Sequence, residues 1–259
     1  MRSSEIIAFV YFAALTVLGW VRPLPAVRRW QITAIGLVMC AAIFTIAHNA
    51  PRVVRDWAPG VSVLVGYYMS GRFFVRPSER LEDWLTAWDR RLFGNPATCF
   101  AGWPPLLLAY LETVYVTCFL LVPVGFAALV IAGRASLADR YWSMVLAAEL
   151  GSFVSLSLVQ TRPPWLVEQK AALPDRAVHR VASRFVERLT IQANTLPSGH
   201  VAGSLAVAFA LLGPLPGIGA VFLVLALSIA LACVVGRYHY VVDVVSGAAL
   251  AIAVWAAIQ

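Results

Sequence analysis

The chain has 259 residues, of which 61% are hydrophobic and only 13% charged, and its mean hydropathy of +0.79 excludes an ordinary soluble domain. Spans of about 20 residues each consume most of that length, so a separate soluble domain does not fit. The net charge of +7 is spread over short loops rather than gathered in one aromatic-interleaved patch, which points to membrane lipids with anionic headgroups, and not to nucleic acid, as the counter-charge.

Apolar runs at about 5–21, 31–48, 57–71, 104–133, 141–160, 199–213, 217–236 and 240–258 give up to eight spans. The fold class expected is all-α, a polytopic transmembrane helix bundle. The first run follows Arg2 but is not succeeded by a small-residue cleavage site, so it reads as a retained helix rather than a signal peptide. The third is interrupted by Pro59 and Gly60. After it, Leu81, Trp84, Leu85, Trp88 and Leu92 recur at helical spacing among charged positions, the pattern of an amphipathic helix lying on the membrane surface. A second basic amphipathic stretch occupies 176–189 and includes His179. Cys40, Cys99, Cys118 and Cys233 lack CxxC spacing and read as neither disulfides nor metal ligands.

Chemistry-bearing residues gather at the ends of the runs. "PSGH", Pro197 to His200, opens the sixth run. A helix start has unpaired amides and a positive dipole end, so Ser198, the amides of Gly199 and His200, and the imidazole form an anion cup suited to phosphate. In "RYHYVVDVVSG", His239 and Asp243 stand four apart and therefore on one helical face, so that the carboxylate accepts the imidazole N–H and orients the ring as a base or nucleophile. Arg162 and Arg237 supply planar forks suited to phosphate oxygens. Glu112 and Glu149 lie inside apolar runs, where a headgroup or acceptor hydroxyl could hydrogen-bond, or where each could simply pair helices. Tyr238, Tyr240 and Trp165 read as an interfacial belt.

At these residues the chain resembles the type-2 phosphatidic acid phosphatase superfamily. Arg162-Pro163 matches the end of its first motif, although the lysine position holds Ser155; Pro197-Ser198-Gly199-His200 matches the second in full. His239 and Asp243 match the third, whose Ser-Arg positions hold Ala232 and Cys233. "TRPPW", "RYHYVVDVVSG" and "WDRRLFGNP" are similar to the branch containing inositol phosphorylceramide synthase. The resemblance implies a six-helix phosphatase-type core, here residues 56–259, preceded by about two helices in an N-terminal hairpin, residues 1–55. It implies a lipid phosphatase or phosphotransferase acting on a lipid phosphate or phospholipid, with water or an alcohol as acceptor and no metal or other cofactor. The catalytic residues would be His239 as nucleophile, Asp243 behind it and His200 as acid and base. Arg162, Arg237, Ser198 and Gly199 would bind the phosphate, Arg237 replacing the missing arginine. The alternative is an inactive lipid-binding scaffold of the same fold. Arginine-rich loops on the site's side favour the cytoplasm, whereas relatives that recycle lipid pyrophosphates or make sphingolipids work on the outer or lumenal face, so sidedness stays open.

Overall fold

The computed structural model describes residues 1–167 and 190–258, and among these the regular structure is helical, with one isolated bridge between Thr161 and Asn194. The stretch 176–189 and His179 lie outside the described residues. Each of the eight apolar runs is helical. They form α1 (Ser3–Val21), α2 (Ala26–Asn49), and the pair α3 (Arg52–Trp57) and α4 (Pro59–Gly71), which is interrupted at Ala58 just before Pro59. The surface helix α5 (Glu79–Phe93) and the short α6 (Pro96–Ala101) lead to α7 (Pro105–Ile131) and α8 (Ala138–Val154). After the single turn α9 (Pro164–Val167) come α10 (Gly199–Leu212), α11 (Pro216–Val235) and α12 (Val241–Ala257).

Helices α1, α2, α7 and α11 are long and apolar enough to cross a bilayer unaided, so the chain is a multi-pass membrane protein. The remaining apolar helices are shorter for a physical reason visible in α10. Its 14 residues rise about 21 Å, less than the hydrocarbon thickness of about 30 Å, yet it packs against α7, α8, α11 and α12 and buries most of its length. A helix walled in by others need not match the bilayer. Small residues at Gly199, Ala202, Gly203, Ala206 and Ala208 allow those neighbours to approach closely.

The chain runs back and forth between two ends. At one end Ser4 and Ser3 amides donate to Asp139 at the start of α8, Arg2 pairs with Asp56 at 2.6 Å, and Arg55 grips Glu5 through Nε and Nη2. Arg140 donates to the carbonyl of Ile258 at that same end. The opposite end collects the C-terminal side of α8 and α11, the starts of α10 and α12, and α5. A second apolar cluster joins Phe12 and Leu15 of α1 to Leu146 and Leu150 of α8.

Helix α5 forms over the expected residues, with a difference in what it buries. Trp84, Trp88 and Leu92 are exposed toward the surroundings, as a membrane-surface helix requires. The face turned to the bundle holds Leu85 together with Glu82, Thr86 and Asp89, all buried. Positions 82, 85, 86 and 89 follow helical spacing, so two acids that composition assigns to solvent are directed into the protein.

Candidate active site

Ser198 is the N-cap of α10, and its own side chain makes no capping hydrogen bond. The Ser198 hydroxyl is fully buried beside the Cys233 thiol. The turn is held by backbone instead: the Ser198 amide donates to the Asp243 carbonyl at 2.9 Å, and Ser152 Oγ donates to the Pro197 carbonyl at 2.6 Å. The Gly199 amide is not open, because it donates to Thr195 Oγ1 at 3.1 Å. Glycine at 199 is required sterically, since a Cβ there would stand 2.8 Å from the Phe153 ring.

The second half of the site is a turn between α11 and α12. The chain leaves α11 through Gly236, where a Cβ would lie 2.3 Å from the Tyr238 ring, and Arg237 takes a left-handed conformation with φ of 59°. That conformation disfavours an L-residue with a long side chain. It brings the amides of Tyr238 and His239 onto the carbonyl of Cys233, both at 3.0 Å. His239 therefore precedes α12, whose N-cap is Tyr240, and the expectation that His239 and Asp243 share a helical face is corrected: they meet across a helix start. Asp243 Oδ2 accepts the Tyr240 amide at 2.9 Å and stands 3.5 Å from His239 Nδ1, longer than a tight hydrogen bond.

His239 Nε2 lies 3.3 Å from His200 Nδ1. With the Nδ1 proton of His239 toward Asp243, Nε2 presents its lone pair and accepts from His200, an assignment that follows from the neighbours rather than from observed hydrogens. His200 Nε2 has no partner among the described residues. Its ring packs on a stack in which Tyr115 lies 5.0 Å from His200 and 3.7 Å from Tyr238, with Phe119 edge-on at 5.4 Å. Tyr238 and Tyr240 are both buried, so neither belongs to an interfacial belt; Trp165 is only partly buried, and its amide donates to the Arg237 carbonyl.

Both arginines are held by the acids of α5. Arg162 donates from Nε and Nη2 to Glu82 at 3.1 and 2.7 Å, and its own amide donates to Glu82 at 2.7 Å. This hydrogen bonding holds the guanidinium pKa above its ordinary value. Arg237 is buried and pairs with Asp89 at 2.7 Å, while the other Asp89 oxygen accepts the Val241 amide at the start of α12. Burial pushes the Asp89 carboxyl up, opposed by that amide and by Arg237. Glu82 and Asp89 escape a reading of sequence because acids on an amphipathic helix resemble a solvated face; the available signal is their separation by seven positions, two turns apart on one side.

Glu149 on α8 lies against the first turns of α10, where a Cβ at Gly203 would fall 1.8 Å from its Oε1. Sequence spacing leaves that acid unconnected to the motifs, and packing places it under them. Glu112 is buried on α7 near Tyr238. Ser155 and Cys233, at the positions of the missing basic residues, bring no charge: Ser155 Oγ donates to the Ser152 carbonyl and Cys233 is fully buried.

Comparison with known proteins adds the family. No curated protein and no solved structure matches the chain. A family description does match: residues 83–257, more than half of the chain, fit the PAP2 superfamily, whose membrane members are lipid phosphatases and phosphotransferases. That segment begins inside α5 and ends with α12, and it contains Arg162, the 197–200 turn and the 236–243 turn, so the chain belongs to the PAP2 superfamily.

Proposed function

We propose that the protein is a lipid phosphotransferase or phosphatase that works through a phosphohistidine at His239. The observation that carries this reading is the His239–His200 contact at 3.3 Å, with Asp243 behind His239. A phosphorus atom at a near-attack distance of about 3–3.5 Å from Nε2 occupies the place His200 Nδ1 now holds, so substrate entry displaces the His200 ring and leaves it facing the ester oxygen. Nε2 then forms the N–P bond as the P–O ester bond breaks. The bonding pair stays on the departing oxygen, which takes a proton from His200. In the second half His200 removes a proton from the acceptor hydroxyl, whose oxygen forms the new P–O bond while the N–P pair returns to His239. Arg162, Arg237 and the Ser198 hydroxyl neutralise and orient the phosphate oxygens. The Gly199 amide joins them when Thr195 Oγ1 releases it.

The charge at the site favours a phosphodiester donor over a monoester. The two guanidinium groups already face Glu82 and Asp89, Asp243 stands behind His239, and the positions of the family's other basic residues are neutral. A monoanionic diester suits that balance better than a dianion. This is also what supports placing the chain nearest the branch that contains inositol phosphorylceramide synthase. The test is lipid mass spectrometry of purified protein in mixed phospholipids, with and without a lipid alcohol. A new headgroup-bearing lipid that depends on the alcohol is expected. Release of inorganic phosphate alone makes the protein a phosphatase, and no turnover with any phospholipid favours the scaffold.

A further inference from the structure

Apart from the histidine site, the same end of the bundle holds a cavity of about 370 Å³ whose walls include Arg22, Arg76, Ser78, Leu81, Leu158 and Gln160. Its rim is built, not incidental. Gln160 Nε2 donates to the Phe73 carbonyl at 2.6 Å, and Gln160 Oε1 accepts the amides of Val75 and Arg76 at 2.8 and 2.9 Å. The Gln160 carbonyl accepts the Ser78 amide at 2.8 Å. One glutamine thus pins the strap from α4 to α5 against the segment leaving α8, and Arg76 lines the same cavity as Arg22. Whereas Arg2, Arg55, Arg162 and Arg237 each face a carboxylate, neither Arg22 nor Arg76 has an acidic partner among the described residues. Two cations without an acidic partner that line one cavity with apolar Leu81 and an exposed Leu158 match an amphiphile with a phosphate head and a hydrocarbon tail.

We propose that this cavity binds one anionic phospholipid, distinct from the substrate at His239, with its phosphate between Arg22 and Arg76 and its chain along Leu81 and Leu158. The occupant braces Gln160, two residues before Arg162, so the site is placed to steady the strand that carries that arginine. The test uses detergent-purified protein carrying His239→Ala, which removes turnover, and native mass spectrometry with phosphatidylglycerol or phosphatidylcholine as the added lipid. One phosphatidylglycerol is expected to be retained per chain, with phosphatidylcholine lost and excess inorganic phosphate unable to displace the lipid. Arg22→Ala with Arg76→Ala is expected to lower occupancy about tenfold or more. Arg76→Gln, at an exposed side chain that bears no fold contact, lowers it in the same direction if the double variant does not fold. Unchanged occupancy in folded variants assigns the lipid to the histidine site and overturns the proposal, as does equal retention of phosphatidylcholine. Displacement by inorganic phosphate also overturns it, because the cavity is then a free-anion site.

Discussion

At the scale of single residues, the site is a histidine pair whose partners constrain what each variant does. If His239 is the nucleophile, as proposed, His239→Ala removes the attacking nitrogen and is expected to abolish turnover while the fold persists, as read by reaction rate and by the unfolding midpoint in detergent. Asp243→Asn keeps an oxygen for the Tyr240 amide, so the start of α12 survives, but an amide cannot stabilise the imidazolium that develops at His239. The expected loss in kcat is on the order of a thousandfold or more, with little change in the unfolding midpoint; comparable loss of both would make Asp243 a helix cap alone. Arg237→Lys retains charge but loses the fork and the geometry toward Asp89. It is expected to lower turnover about a hundredfold, the cost of one charge-assisted contact in a preorganised site, whereas near-normal activity would remove Arg237 from phosphate binding. Arg237 is 3% exposed, so it is not a headgroup-facing surface residue.

At the scale of elements, α5 is the part that sequence patterning describes least well. Its existence and its outward Trp84 and Trp88 are legible from the 3.6-residue period. Its inward acids are not, because burial of a carboxylate depends on a partner more than seventy positions away: Arg162 for Glu82, Arg237 for Asp89. The two pairs should differ in strength. Asp89 and Arg237 are almost fully buried, at 0% and 4% side-chain exposure, so Asp89→Asn takes the carboxylate away from a buried cation at a cost of about 3–5 kcal/mol. Arg162 is 39% exposed and water can replace its partner, so Glu82→Gln should cost about 1 kcal/mol or less. Unfolding midpoints in the same detergent check the order, and equal effects would show that α5 does not bury Asp89. The turn between α11 and α12 was hidden for a related reason: four-residue spacing suits a helix, but the left-handed Arg237 and the cap at Tyr240 put His239 outside it.

At the scale of the whole molecule, composition made the helical membrane class legible, and the apolar runs marked every long helix. Which helices need to span the bilayer by themselves was not legible, since α10 is shielded by its neighbours and free of that length rule. We propose that residues 1–55 form a bracing hairpin for the catalytic region that follows: α1 sets Phe12 and Leu15 on Leu146 and Leu150 of α8, so deleting it should expose that face and cause aggregation in detergent. The back-and-forth path places residues 3 and 258 at the end away from the histidines, and exposed Cys99, next to α5, at the end that holds them. In oriented vesicles a membrane-impermeant maleimide should therefore reach Cys99 from one side and a cysteine introduced at Ser3 from the other. The motifs at 162, 197–200 and 236–243 converge only through this path, and their convergence has a chemical consequence at one atom. The decisive measurement is alkaline rapid quench of turning-over enzyme followed by peptide mass spectrometry. An acid-labile phosphoramidate on His239, absent from His239→Ala, is the result expected of a histidine nucleophile. An active enzyme with no such adduct, or with the adduct on another residue, would contradict it.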